Sequence, residues 1–311
     1  MMFKKSIITV LMFFFLKNIV LAQHEFSFYS GGGLSTLNYN TEIGKQKNGL
    51  GYNLGFGYCF QPFKSQWGAL SGIGLSMFYS DFKLNISDFS VSRYVYDMDE
   101  EVDFIFSSYL NGYRENQKKI FLTIPFMVKY IMELNKISNN KHNLYATGGV
   151  KIGIPLGGQY LVKIDNIRNT GYYEKEDYEY ETQTFRGFGT FNDKIFHGNL
   201  DLNIALLFSF EAGMKFTTNR RYLHQTERLT IYTGLFIDYG LNNIYKTNGT
   251  YSFVEYDDNS LQNFNMRSVI YSQYTPDKDT PAKPFTDKIT PIAVGIKLTV
   301  SFERVPPYAI F

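Results

Sequence analysis

The chain has 311 residues, a formal net charge of +2 and one cysteine, Cys59. Near-neutral charge without a basic run excludes a phosphate-tracking nucleic-acid binder, and a single cysteine excludes an intramolecular disulfide. Aromatic residues make up 18%, with 25 Tyr and 29 Phe but one Trp, a richness that suits aromatic girdles and tight strand packing.

Residues 1–22 open with Lys4 and Lys5, run through an apolar stretch at 7–15 and end in Val20-Leu21-Ala22 before Gln23. This is the pattern of a secretory signal peptide cleaved after Ala22, and Lys17 interrupts the apolar run that a membrane anchor would need. No later stretch is long and apolar enough for a transmembrane helix, so a membrane protein of this sequence crosses as closed strands.

The remainder alternates large apolar residues with small, polar or charged ones, the period of a strand with two different faces. A first predicted strand puts Phe26, Phe28 and Leu34 on one face and is weakened by Gly31-Gly32-Gly33. In the second, Leu50, Tyr52, Leu54, Phe56, Tyr58 and Phe60 face out, which turns Cys59 inward. After a short turn at 61–66 the third sets Ile73, Leu75, Met77 and Tyr79 outward. The fourth does so with Ile120, Leu122, Ile124, Phe126, Val128 and Tyr130, and its inward Pro125 removes a ladder donor, which predicts a bulge or a broken pair. The fifth runs from 144 to about 163, bent at Pro155 and Gly157-Gly158. The sixth points Ile204, Leu206, Phe208, Phe210, Met214 and Phe216 outward, and the seventh Leu229, Ile231, Leu235, Ile237, Tyr239 and Leu241. The eighth, at 292–302, is the clearest: Ile292, Val294, Ile296, Leu298, Val300 and Phe302 against Ala293, Gly295, Lys297, Thr299 and Ser301.

Eight such strands behind a signal peptide predict an all-β fold, an antiparallel transmembrane β-barrel in the bacterial outer membrane. The barrel spans 23–302, followed by a short periplasmic tail at 303–311, with both termini periplasmic. Ten strands are the alternative, because Phe104-Ile105-Phe106 or residues 266–274 can form a further hairpin. The connections run about 11, 6, 36, 13, 38, 11 and 47 residues, the long-and-short alternation of a barrel with extracellular loops and periplasmic turns. The three long loops, at about 83–118, 164–201 and 242–288, are expected to be the functional surface and carry more acids than bases. The periplasmic turns carry Lys64, Lys136, Lys141, Arg220, Arg221 and Arg228 against Glu133 and Glu227.

Four segments carry a resemblance: Ile124-Pro125-Phe126-Met127-Val128-Lys129-Tyr130, Gly148-Gly149-Val150-Lys151-Ile152-Gly153-Ile154-Pro155, Glu211-Ala212-Gly213-Met214-Lys215-Phe216 and Asp238-Tyr239-Gly240-Leu241. Together they resemble the porin-family or PorT-like outer-membrane β-barrel domain. The resemblance implies a small outer-membrane barrel, and its motifs specify architecture, not activity. The long loops and the nine residues after Phe302 depart from the family's compact form, so a link to secretion is not carried over.

Parity puts Lys129, Lys151, Glu211, Lys215, Asp238 and Lys297 in the lumen. An eight-stranded barrel is only wide enough for side chains to fill, so these charges read as a paired, hydrated plug. The alternatives are an anion path favoured by the surplus of lysine and a catalytic use of Glu211 or Asp238. In the loops, Asp97, Asp99 and Asp103 belong to an acidic run without the Gly and terminal Glu of a calcium loop. Tyr172, Tyr173, Tyr178 and Tyr180 lie among acids in a second segment and are, with those three aspartates, the candidate loop contacts. His24, His142, His197 and His224 fall in places that cannot converge, which argues against an enzyme. No catalytic set, metal site or cofactor is expected. The expected function is surface interaction or a structural role, with a narrow porin as the alternative and a membrane-embedded hydrolase or secretion component behind it. The partners are outer-membrane lipid and an extracellular ligand or protein met through the loops, with no nucleic acid.

Overall fold

In the computed structural model the chain is all-β and almost wholly antiparallel. The structure describes residues 22–41, 43–62, 64–86, 89–97, 100–134, 142–219, 227–246, 251–257, 264–274, 282–286 and 288–304. Residues 1–21, where a signal peptide is expected, Asp99, residues 135–141 and 220–226, where two periplasmic turns are expected, and the tail from 305 lie outside the described residues. Eleven strands are long enough to organise the fold: β1 (Gln23–Asn38), β2 (Leu50–Gln61), β3 (Trp67–Leu84), β4 (Phe89–Asp97), β5 (Val102–Asn111), β6 (Arg114–Glu133), β7 (His142–Tyr173), β8 (Gly189–Asn199), β9 (Ala205–Asn219), β10 (Glu227–Gly240) and β11 (Thr290–Arg304).

Eight of them pair in the order β9, β10, β11, β1, β2, β3, β6, β7, and β7 pairs with β9, so each has a partner on both sides. The eight coincide with the eight alternating segments of the sequence, and the parities hold. Phe26 is 61% exposed and Phe302 62%, while Glu25 and Glu303 beside them are buried. Pro125 does break a pair: the β3–β6 ladder runs from Ser71↔Phe126 to Gly74↔Thr123 and skips the residues between. The bend at Pro155 is a β-bulge, because Ile120 pairs with Gly157 and Phe121 with Pro155, which leaves Leu156 unmatched.

At that bulge β7 changes company. Below it β7 lies between β6 and β9; above it β8 replaces β9, while on the other side β6 continues to Lys163 and β5 takes over from Asn166 as β7 runs on to Tyr173. This corrects the expectation that the strand ends near residue 163 and that the long connections are solvated loops. The hairpin of β4 and β5, with Phe104 and Phe106 in β5, matches the alternative reading of that stretch. Gly44–Asn48 adds to the upper end of β3, and the last long connection contributes the short strands Tyr251–Ser252, Val254–Tyr256, Phe264–Met266 and Ser272–Tyr274.

These pieces form a folded cap with the molecule's main apolar core. Phe82, Phe104, Phe106, Tyr113, Phe188, Phe253, Phe264, Met266 and Ile270 are all buried in it. The Phe104 ring stacks on Tyr173 at 4.9 Å and meets Phe188 edge-on at 5.7 Å. Gly112 makes the tight β5–β6 turn at φ +72°, and a Cβ there would overlap the Asp165 carboxylate, so this turn needs glycine. The cap sits at one end of the eight strands; His24 of β1 and Arg304 of β11 pair at the other.

A core of this kind is a sensitive target. Phe104→Ala should cost about 3–5 kcal/mol, read as a lower denaturation midpoint or as new protease cleavage within the cap. Phe185→Ala, at a side chain 74% exposed, should leave both unchanged. Equal behaviour of the two variants would mean that the cap is not a packed unit.

Candidate functional site

The buried face of the eight strands carries all six predicted interior charges, and alternation along each strand is what turns them inward. Lys151 of β7 reaches Asp238 of β10 at 2.8 and 2.9 Å. Lys297 of β11 reaches Glu211 of β9 at 2.6 Å, and the Tyr145 hydroxyl donates to the same carboxylate at 2.6 Å. Lys297 also lies 4.4 Å from the centre of the Tyr29 ring. Lys215 stands 3.7 Å from Glu303. Lys129 of β6 pairs with Glu25 of β1, and the Tyr232 hydroxyl, 3.1 Å from both, completes a triangle.

Glu25 and Glu303 are the two partners that sequence reasoning missed. The signal was there: Glu25 precedes the outward Phe26 and Glu303 follows the outward Phe302, so parity alone turns both inward. With them, four lysines face four carboxylates, and the lysine surplus that would favour an anion path disappears. Beside Glu25, Tyr29, Lys129, Lys151, Glu211 and Tyr232 a cavity of ≈40 Å³ remains, room for about one water, and a wider space of ≈290 Å³ lined by Lys215, Glu303, Gln61 and Arg228 lies at the end of the strands away from the cap. Toward the cap the buried face becomes apolar, with Phe78, Phe121, Leu207 and Phe236 continuous with the cap core.

The candidate loop residues divide. Asp97 and Tyr173 are buried, a correction to their expected place at the surface: the Tyr173 hydroxyl donates to Asp97 at 2.7 Å, and Arg186 joins Asp97 to Glu100. Both residues face inward because β4 and β7 continue their alternation into the cap. Burial, with the Asp97 carboxylate beside it, raises the Tyr173 phenol above its ordinary value. Tyr172 donates to Asp177 at 2.7 Å and Tyr180 to Glu176 at 2.8 Å on the outer side, where Asp103 and Tyr178 are exposed. The outer side also presents Tyr94, Tyr96 and Phe185, which no sequence pattern singles out. Among the described residues no three of His, Cys, Asp and Glu converge as a metal set.

A further buried carboxylate ties the cap together. Glu115 of β6 accepts from the Tyr113 hydroxyl at 2.7 Å, the Gln117 amide at 2.9 Å, the Val269 N–H at 2.9 Å and the Ser268 hydroxyl. Those last two residues belong to the final long connection, so one side chain fastens that segment to the sheet. Burial pushes the Glu115 carboxyl above its ordinary value of 4.5, against the lowering effect of the four donors.

Two outcomes follow. Leaving one member of the Glu25–Lys129 pair unpartnered should cost about 3–5 kcal/mol, so Glu25→Leu should lower the denaturation midpoint while Glu25→Leu with Lys129→Met recovers most of the loss. No recovery in the double variant would mean that the pair is not what holds these strands. For Glu115 the folded state prefers the protonated form, so its contribution is complete below pH 4.5 and is lost as pH rises through the raised folded value. Glu115→Gln cannot ionise; its stability relative to the parent should therefore improve from acid to neutral pH, by about 1.4 kcal/mol for every tenfold separation between the folded and unfolded proton affinities. A stability difference constant across that range would contradict the assignment.

Comparison with protein-family models finds no family that matches this chain, and comparison with curated proteins finds no relative.

Proposed function

We propose that the chain is an outer-membrane β-barrel of eight strands whose work is done at the cell surface by its cap, and that the barrel itself does not conduct. The single observation that carries this reading is the inversion of the eight strands: the face without a partner is apolar and the enclosed face is charged. Leu50, Phe56, Leu235 and Ile296 stand on the unpartnered face, and an exposed apolar surface of that extent needs an apolar medium around it. The return pairing of β7 to β9 leaves no free edge among the eight, as strands in lipid require. The neutralised pairs and the ≈40 Å³ residual cavity disfavour the narrow-channel reading, since an ion would have to enter a site already satisfied.

The orientation puts the cap outside and both chain ends in the periplasm, as the long-and-short alternation of the connections requires. The resemblance to the porin-family or PorT-like barrel belongs to this proposal. Its four segments fall on β6, β7, β9 and the end of β10, four neighbouring strands, and they contribute Lys129, Lys151, Glu211 and Asp238 to the interior. On the cap, Tyr94, Tyr96, Tyr178 and Phe185 beside Asp103 and Glu174 form an aromatic and acidic surface suited to a cationic ligand or a basic protein patch. No catalytic role is assigned.

The experiments are direct. Unboiled protein should migrate differently from boiled protein, give a β-type circular dichroism spectrum and need detergent; a helical spectrum or solubility without detergent would sink the proposal. In planar bilayers neither the parent chain nor Lys297→Glu should produce stable conductance steps. Steps that change with that charge reversal would move the function to the channel.

A further inference from the structure

Counted by loop, the outer segments are acidic, yet the strand registers gather six bases on one exposed face. Lys45 pairs in register with Lys83, Lys83 with Arg114 and Arg114 with Lys163, four exposed cations in one rank across adjacent strands. Like charges directly opposite one another destabilise a sheet. Only Arg114 has an acid to hand, Asp165 at 2.5 Å; among the described residues Lys45, Lys83 and Lys163 have none. Lys47 stands one rank lower, opposite Asp81, whose carboxylate already accepts from Asn116. One rank below that, Lys118 lies over the Tyr79 ring at 5.6 Å and is followed across the sheet by Gln159 and Asn199. Next comes Met77 opposite Ile120, where the apolar face begins.

The face is concave. A groove of ≈680 Å³ opens over it, lined by Tyr79, Asp81, Lys118, Gln159, His197 and Asn199, within the size range of small-molecule sites. Amides and a tyrosine ring offer the hydrogen bonds and the apolar surface that a sugar takes, and the lysines at its edge offer phosphate contacts. Height narrows the class. The Lys83 rank is six residues above Met77, roughly 20 Å along the strand and about 15 Å along the barrel axis after tilt. The polar layer of an ordinary bilayer adds only about 6 Å beyond the hydrocarbon on each side.

We propose that this face docks a phosphorylated glycolipid of the leaflet on the cap side, its acyl chains against the apolar face, its sugar in the groove and its phosphates on Lys118 and the Lys45–Lys83–Lys163 rank. The inference rests on the membrane reading above. It differs from the expectation of general lipid contact in naming one side of the barrel and one headgroup chemistry, and the acidic surface of the cap is not involved.

The test uses the full chain in uncharged detergent, with lipid retention read by native mass spectrometry. The probes are a bisphosphorylated glycolipid, its dephosphorylated form, an anionic phospholipid and inorganic phosphate. The bisphosphorylated glycolipid should be retained at least tenfold more than each of the others, and Lys83→Gln/Lys118→Gln/Lys163→Gln should lower its affinity on the order of tenfold to a hundredfold while keeping the boiling-dependent mobility shift. Equal retention of the two glycolipids, or an unchanged triple variant, overturns the proposal. Equal retention of the anionic phospholipid removes the sugar from it, and displacement by inorganic phosphate alone makes it a free-anion site; either result also overturns it. If the triple variant loses its mobility shift, the comparison among probes on the parent chain decides. A parent chain soluble without detergent would instead overturn the membrane reading itself, a result separable from all of these.

Discussion

Four lysine ammoniums pair with four carboxylates on the buried face of eight strands, and their mutual neutralisation is the condition on which the rest of the structure stands. Each pair joins two different strands: β1 to β6, β7 to β10, and β9 to β11 twice. A strand slipped by one residue would turn its charge out and its apolar row in, so each pair opposes slippage in two strands at once. The benefit is specificity of register more than stability, because taking ions out of water offsets most of what their attraction returns. Tyr145 and Tyr232 complete the arrangement by donating to Glu211 and Glu25, which leaves those carboxylates with more than a single ammonium to satisfy them.

A charged interior leaves no room there for the dry core that a chain of this size would ordinarily build, and the apolar core lies elsewhere. It begins inside the strands at Phe78, Phe121 and Phe236 and swells into the cap around Phe104, Phe188, Phe253 and Phe264. Long loops on a bare barrel would be disordered by entropy. Here the extension of β7 past the bulge at Leu156 supplies a rigid spine on which β5 and β8 pair, and Glu115 fastens the final long connection to the same sheet. The cap is thus built on strand, which gives any recognition surface on it a fixed geometry.

How much of this is legible in the sequence follows from the range of each interaction. Period-two alternation is local, so the eight strands and all six interior charges can be read from 292–302 and its counterparts. Pro125 and Pro155 announce the broken pair and the bulge for the same reason, since a missing donor is a property of one residue. Glu25 and Glu303 obey the same rule but sit at strand ends, where the alternation has few neighbours to support it. Glu115 lies ahead of the apolar row that marks the fourth strand from Ile120, so nothing local separates it from a loop. The cap is not legible: Tyr173 meets Asp97 across 76 residues and Ser268 meets Glu115 across 153, and no local pattern encodes such contacts. Acidic and aromatic composition therefore suggests solvent where the structure has a core.

Charge behaves in the same way. Summed along the chain, the long connections are acidic, and that sum hides a rank of bases assembled from Gly44–Asn48, β3, β6 and β7, segments that span residues 45 to 163 in sequence. What brings them together is register, and register is fixed lower down by the interior pairs and the bulge. Lys163 lies in the part of β7 beyond that bulge; if Leu156 entered the ladder as an ordinary residue, the alternation beyond it would be reversed, Lys163 would point into the cap core, and Val162 would take its place on the exposed face. The same irregularity that starts the cap therefore also sets the cationic rank beside the apolar face; because Leu156 is the one unmatched residue, its deletion should leave Arg114 opposite Lys163 and Lys163 exposed, and protection of Lys163 from an amine-reactive reagent in that variant would contradict the register.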